Sequence, residues 1–198
     1  MRSIKIWDTP SDKQVKEIAD AIKSGDIAII PTDTCYAIAG DALNSKSVER
    51  ICRLKGINPD KSNLSVICSD ISMAAEYSRI GNVAFHIMKT YCPGPYTFLL
   101  RSASKLPKAF KNRKTVGVRI PDNDFDRLLA QELGTPLITT SIEYEDEDHA
   151  INPGLIAETY EGRVDFMVED EDGSTEVSTI VDCTCNEPEV IRRGKGEI

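Results

Sequence analysis

Residues 27–36 read Ile-Ala-Ile-Ile-Pro-Thr-Asp-Thr-Cys-Tyr, and this segment narrows the possible architectures more than any other. It is a short strand of the buried type, stopped by a proline, that delivers two threonines and an aspartate at its carboxyl end. Open α/β sheets place their ligands at the carboxyl ends of such strands.

The remaining elements alternate in the way that reading requires. Val15, Ile18, Ala19 and Ile22 share one face of a helix predicted over Asp12 to Lys23, and Ser11 with Gln14 forms its capping box. A strand over Asp26 to Ile30 follows. Helices are then expected near Ser45 to Leu54, Ser72 to Ser78 and Asn82 to Tyr91, with a strand at Leu64 to Cys68. Apolar runs at Tyr96 to Arg101 and Thr115 to Ile120 read as strands, as does Pro136 to Thr140. A helix over Asp122 to Leu133 is closed by Gly134. Asn152-Pro153 looks like an N-cap and first-turn proline, and strands are expected near Arg163 to Val168, Val177 to Asp182 and Val190 to Arg192. The fold class is α/β, a twisted mixed parallel and antiparallel sheet flanked by helices.

A length of 198 residues at 40% hydrophobic content suits one large domain spanning residues 1–198. No apolar run approaches the roughly 20 residues that span a bilayer, so a soluble, cytoplasmic protein with no membrane partner is expected. Six cysteines without a secretion signal read as reduced thiols. Cys183 and Cys185 are a lone Cys-x-Cys, and His86 and His149 lie in unrelated contexts, so no metal site is expected. The net charge is −8, yet residues 143–176 hold thirteen acids and one base, Arg163. The rest of the chain is therefore at +4, which suits a phosphate-binding surface.

Phosphate loops, dinucleotide fingerprints and nucleophile elbows are missing from the sequence. His86 falls within an apolar helix pattern and reads as a packing residue. His149 sits in an acidic loop and reads as solvent-exposed. What remains is a chemistry of hydroxyls, backbone amides and cations at strand ends, suited to holding a nucleotide while its phosphates react.

An ordered set of motifs then identifies a resemblance: Pro31-Thr32-Asp33-Thr34-Cys35-Tyr36, Arg53-Leu54-Lys55-Gly56, Pro93-Gly94-Pro95-Tyr96-Thr97, residues 116–121, Thr140-Ser141, residues 178–182 and Arg192-Arg193-Gly194. Across nearly its whole length the chain resembles the YrdC/YciO family, whose enzymes are threonylcarbamoyl-AMP synthases. Pro-Gly-Pro-Tyr-Thr, Thr-Thr-Ser-Ile and the final Arg-Arg-Gly-Lys-Gly resemble the YciO branch. In the synthases, threonine and bicarbonate form a carbamate that attacks the α-phosphate of ATP, and the product modifies an adenosine of tRNA.

The resemblance implies that Thr34, Arg119, Thr139 and Ser178 face a threonine-like substrate, the guanidinium meeting its carboxylate. It places Lys55, Ser62, Thr115, Ser141 and Arg192 at the nucleotide, with ATP and Mg²⁺ as the substrate complex. Ser62 stands where the family has an asparagine. Each position has a plainer reading. Thr34 can cap a strand end, and Lys55 can complement a helix dipole. Ser141 and Ser178 can be turn or strand serines, Arg192 can belong to a solvated tail, and a charge such as Arg119 in an apolar strand needs a partner of some kind. Pro93-Gly94-Pro95 reads as a rigid turn.

Departures from the family fall on its signature positions. Ile57 replaces the arginine of Lys-x-Arg, Glu143 the asparagine of Ser-x-Asn, and Ile67 a histidine of the threonine pocket. A carboxylate at 143 would repel phosphates. Arg53 or Lys61 could stand in for the lost guanidinium. Two functions fit: an enzyme making threonylcarbamoyl-AMP or a related acyl-AMP, or a non-catalytic module binding tRNA or double-stranded RNA. The acidic stretch 143–149 reads as a spacer.

Overall fold

The computed structural model describes residues 2–6, 10–58, 64–103, 105–106, 114–171, 173–185 and 187–198. In chain order its elements are β1 (Arg2–Lys5), α1 (Asp12–Lys23), β2 (Ala28–Ile30), β3 (Ala37–Asp41), α2 (Ser45–Leu54), β4 (Ser65–Ile67), α3 (Ile71–Tyr77), β5 (Ser78–Arg79), α4 (Asn82–Tyr91), β6 (Tyr96–Ser102), β7 (Thr115–Arg119), α5 (Asp124–Leu133), β8 (Leu137–Ser141), α6 (Asp148–Ile151), α7 (Pro153–Thr159), β9 (Phe166–Glu169), β10 (Thr179–Asp182) and β11 (Glu189–Arg192). The strands form one mixed sheet in the order β1-β9-β2-β3-β8-β4-β7-β6-β10-β11, with β5 added beside β6. No helix among the described residues is long and apolar enough to cross a membrane.

Local chemistry sets most boundaries. Ser11 and Gln14 cap α1 reciprocally, each backbone N–H donating to the other's side chain, as the capping box requires. The predicted start of α5 at Asp122 moves to Asp124, because the Asn123 side chain accepts from the Asp126 N–H at 3.1 Å and makes Asn123 the cap. Gly134 closes that helix at φ 73°, a left-handed conformation that costs glycine little. Three strands were not expected. Ala37, Ala39 and Gly40 of β3 have low strand propensity, and β3 exists because antiparallel pairing to β2 and β8 satisfies both its edges. β5 takes Ser78 from the expected end of α3 and pairs with β6. β1 is held by β9.

Side-chain alternation sends the strands' apolar residues to two cores. Ile38, Val66, Phe98, Val118 and Ile138 pack on one face beneath α2, α3 and α4. Ala28, Ile30, Ala39, Ile67 and Leu137 pack on the other against Ile18, Ile22, Phe125 and Leu129 of α1 and α5. Each of the valine, leucine, isoleucine and phenylalanine side chains among them contributes about 1.5–3 kcal/mol on burial. The joint between α2 and β9 is ionic: Arg50 makes a bidentate contact with Asp165 at 2.6 and 3.1 Å, and the same carboxylate accepts the Ile27 N–H at 2.8 Å. Burial opposes ionisation of Asp165, but these bonds together hold its carboxyl below the usual range.

α1 and α5 cover only part of their face. Beyond them, β4, β6, β7 and β8 present Ser65, Thr97, Thr115, Gly117, Thr139 and Ser141 instead of large apolar side chains, and that section of the sheet lines a cleft.

Asp126 of α5 is fully buried, and neither carboxylate oxygen has a hydrogen-bond partner among the described residues. Burial pushes its carboxyl well above the usual carboxylate range, with Arg119 pulling it back and Asp33 adding to the rise. An acid whose folded pKa is raised binds more protons folded than unfolded, so stability falls as pH rises above the unfolded value of about 4. Asp126→Asn is therefore expected to be more stable than the parent at pH 8 by about 1–3 kcal/mol. The difference should vanish below about pH 4, where both Asp126 states are protonated. Urea unfolding at the two pH values checks this, and an equal difference at both would refute it.

Candidate functional site

The cleft floor is a row of paired residues running across the sheet. Leu99 stands opposite Gly117, Gly117 opposite Ser65, and Ser65 opposite Thr139. Residues opposite one another share a sheet face, so the pairing register alone brings Gly117, Ser65 and Thr139 together beside Leu99. The cavity above them is about 300 Å³. Lys55, Thr115, Arg119, Thr139, Ser141, Ser178 and Arg192 line it, seven of the nine residues proposed from sequence. Thr34 does not line it: it is buried behind Arg119, whose Nη2 donates to its hydroxyl at 3.1 Å. Ser62 and Lys61 lie outside the described residues.

Ser65 and Thr97 were missed. Ser65 Oγ lies 3.2 Å from Thr139 Oγ1, and Thr97 Oγ1 lies 2.8 Å from Ser178 Oγ. The period-2 alternation could have found both: Ser65 lies two residues before Ile67, and Thr97 two before Leu99.

Among the described residues three cations reach the cleft, each held differently. Arg119, buried in β7, is ion-paired with the buried Asp33, whose other oxygen accepts the Asp122 N–H at 2.9 Å. The partner that an apolar strand demands for a charge is thus internal. Arg119 Nε, also buried, has no hydrogen-bond partner among the described residues. Lys55, the C-cap of α2, donates from Nζ to the Ser141 carbonyl at 3.0 Å and pairs with Glu143 Oε1 at 2.7 Å. Arg192 donates to the Ser178 carbonyl from Nε at 3.1 Å and Nη2 at 2.8 Å, and to Ser178 Oγ at 3.1 Å. Burial holds its guanidinium below the usual arginine range; Cys35 opposes the shift and Arg119 adds to it. Of the three, only Arg192 has no carboxylate partner among the described residues.

The basic C-terminal segment is not a solvated tail. Lys195 Nζ donates to the Asp33 carbonyl at 2.8 Å, Thr179 Oγ1 to the Gly196 carbonyl at 2.6 Å, and the Tyr96 hydroxyl to the Glu197 carbonyl at 2.6 Å. These bonds fold the segment against β6 and β10.

The stretch from Glu143 to His149 is not a mere spacer. Glu143 is pinned through its backbone, its N–H donating to the Tyr160 hydroxyl at 2.7 Å and that hydroxyl donating to the Glu143 carbonyl at 3.1 Å. Its carboxylate is thereby aimed at Lys55. Asp146 accepts the His149 N–H at 3.0 Å and contacts Nδ1 at 2.7 Å, so His149 is partly covered, and the bond to Asp146 raises its pKa. His86 does not pack into the core: it is exposed on α4, its ring meeting that of Phe85 edge-on. Cys92-Pro93 is a cis peptide at the predicted rigid turn. None of the six cysteines is in a disulfide.

A sequence model for the Sua5, YciO and YrdC proteins, described as telomere recombination, matches residues 20–194. The protein called uncharacterized protein YciO of Escherichia coli K12 is 31% identical, over 96% of this chain and 94% of its own. The crystal structure of E. coli YciO superimposes with a TM-score of 0.90, covering all of this chain and 98% of that one. Threonylcarbamoyl-AMP synthase of Bacillus subtilis is 26% identical over 93% of this chain and 54% of its own. P. abyssi Sua5 complexed with L-threonine shares the fold at a TM-score of 0.87, with 23% identity and coverage of 98% of this chain and 58% of that one.

Proposed function

Because the chain belongs to the Sua5/YciO/YrdC family, we propose that its cleft binds a small amino acid beside an adenine nucleotide and forms threonylcarbamoyl-AMP or a related acyl-AMP. The observation that carries this reading is the convergence of seven residues, from the C-cap of α2, from β7, β8 and β11 and from the segment before β10, on one cavity of hydroxyls and cations. In the reaction, the amino group of threonine adds to bicarbonate with loss of water. The resulting carbamate oxygen bonds to the α-phosphorus of ATP, and pyrophosphate leaves with the electrons of the broken P–O bond. Mg²⁺ enters with ATP as part of the substrate.

Arg119, oriented by Asp33 and Thr34, is suited to the substrate carboxylate. Thr139 and Ser65 offer hydroxyls beside it. Arg192, already fixed by Ser178, offsets negative charge that builds on the phosphate in the transition state. The cleft favours a small ligand over a nucleic acid, since two of the three cations among its described lining residues are matched by carboxylates. A non-catalytic RNA-binding module would need more unmatched charge than Arg192, the one cation without a carboxylate partner among the described cleft-lining residues, provides.

Glu143 competes with phosphate for Lys55 and so lowers nucleotide affinity. Glu143→Gln is expected to tighten ATP binding roughly ten-fold, the value of one charge-assisted contact, as measured by calorimetry. Unchanged affinity would mean that Lys55 does not meet the phosphates.

The reaction itself is tested by incubating the protein with ATP, Mg²⁺, bicarbonate and threonine, and by assaying for the adenylate by mass and for pyrophosphate. A threonine-dependent product that Arg192→Ala reduces ten- to a hundred-fold supports the proposal. Absence of ATP binding by the parent and by Glu143→Gln would refute it.

A further inference from the structure

Beyond the cleft, the sheet edge carries a cationic surface that the proposed chemistry does not use. β5 pairs with β6 so that Arg79 stands opposite Arg101, and β6 pairs with β7 so that Arg101 stands opposite Thr115. Directly opposed residues have Cβ atoms about 4.5–5.5 Å apart, and like charges so placed oppose strand pairing. In a chain with 32 acids and 24 bases, carboxylates to relieve that repulsion are plentiful. Among the described residues none does so: Arg101 Nε donates to the Thr184 carbonyl at 3.1 Å, and Arg79 and Lys114 have no ion pair. Asp182, the acid on the neighbouring strand, accepts the Thr184 N–H at 2.8 Å instead.

Two adjoining grooves of about 810 and 520 Å³ share Arg79, Arg101 and Thr184. The larger is walled by the first turn of α4 and by Cys183 and Cys185. The smaller adds Lys114 and Thr115, and Thr115 also lines the central cleft. Among the described residues no carboxylate lines either groove.

We propose that Arg79, Arg101 and Lys114 form a second anion site, separate from the cleft, for a ligand carrying two or more phosphate groups. Three cations without a matching acid among the described residues exceed the charge of one phosphate, and two grooves in series give room for a chain of them. The opposed arginines are the signature: an anion lying between their side chains relieves a repulsion that no described carboxylate relieves. The shared Thr115 lets such a ligand extend toward the cleft. Phosphodiester and phosphoanhydride chains offer this chemistry alike, and the experiment separates them.

The full chain is titrated with a fluorescent single-stranded RNA 12-mer, followed by anisotropy, and with tripolyphosphate, followed by calorimetry. The parent, Arg79→Gln/Arg101→Gln and a control, Lys13→Gln/Lys16→Gln on α1, are compared. The arginine pair variant is expected to lose at least ten-fold in affinity for one of these ligands while the control stays within two-fold. For RNA, its salt slope should fall by about 1.4, near 0.7 for each lost phosphate contact. Loss confined to RNA identifies a nucleic-acid strand, and loss confined to tripolyphosphate a small polyphosphate. Because the substitutions remove a repulsion, the variant should melt at or above the parent temperature, which a purely structural pair of arginines would not do. The single Arg79→Gln variant, on a two-residue edge strand, serves if the double variant does not fold. Binding of neither ligand by the parent, or equal losses in the control, overturns the proposal.

Discussion

Arg119→Ala is expected to destabilise the protein by about 3–5 kcal/mol, the cost of breaking a buried ion pair from one side. The cost comes from what is left behind. The Asp33 side chain is 6% exposed, so without the guanidinium its charge sits in a medium too poor in water to solvate it. The Asp122 N–H still donates to one oxygen, but a single amide does not replace a cation. Adding Asp33→Asn to Arg119→Ala removes the stranded charge and should recover about half of the loss or more, since the pair itself is worth little once its desolvation is counted. Arg119→Lys should not rescue fully, because the lysine side chain is one bond shorter and does not carry its ammonium to the Nη2 position that meets both Asp33 and Thr34. Urea unfolding of the parent and the three variants checks these expectations. A single-variant loss below about 1 kcal/mol, the range of an exposed pair, would mean that Arg119 and Asp33 are solvated. Threonine binding should disappear in the same variant if the cleft takes the substrate proposed.

Gly194→Ala is expected to damage the site more than any other substitution outside the cleft lining. A Cβ at 194 would lie 2.1 Å from the Val177 carbonyl oxygen and 2.7 Å from the Ser178 carbonyl carbon. Both are backbone atoms that cannot yield, so the segment itself must move. Its ties are the Gly194 N–H to Thr179 Oγ1 at 2.9 Å, the Lys195 N–H to the Val177 carbonyl at 2.9 Å, and the bonds of Gly196 and Glu197. Displacing it withdraws Arg192 from Ser178 and therefore from the cavity. We expect a stability loss of about 1–3 kcal/mol, as for overpacking elsewhere, and a fall in nucleotide affinity of more than roughly ten-fold from the lost charge-assisted contact. Gly81→Ala is the control, since a Cβ there meets nothing within 4 Å. Calorimetry and thermal melting read both variants. A Gly194→Ala protein with parental affinity would separate Arg192 from the segment that follows it.

Much of this architecture was legible because it is locally encoded. The Ser11/Gln14 box and the stripe of Val15, Ile18, Ala19 and Ile22 fixed α1 at both ends, and the structure returns the predicted Asp12–Lys23 span. The unexpected strands were those whose reason lies elsewhere in the chain: the alanines and glycine of β3 carry no strand signal until β2 and β8 flank them. The site divides the same way. Motif positions located most of the cleft lining, whereas the partners of its charges depend on long-range register and loop placement. Asp33 was read as part of a ligand-facing strand end, yet it neutralises Arg119. Glu143 was read as a group that repels phosphate directly, and the Tyr160 hydroxyl instead steers it onto Lys55. His86 failed on a period argument, because Ala84 and Met88 alone give α4 a narrow buried stripe.

The row from Leu99 through Gly117 and Ser65 to Thr139 joins residues far apart in the chain, and the cleft also draws on residues from 37 to 192. No fragment of the fold holds a usable portion of this floor. Slow amide exchange in β4, β6, β7 and β8 would therefore report the same cooperative unit as ligand occupancy. A ligand at a hundred times its Kd adds about 2.7 kcal/mol to the opening of that whole unit, so ligand present during synthesis acts only on chains that have already completed the sheet.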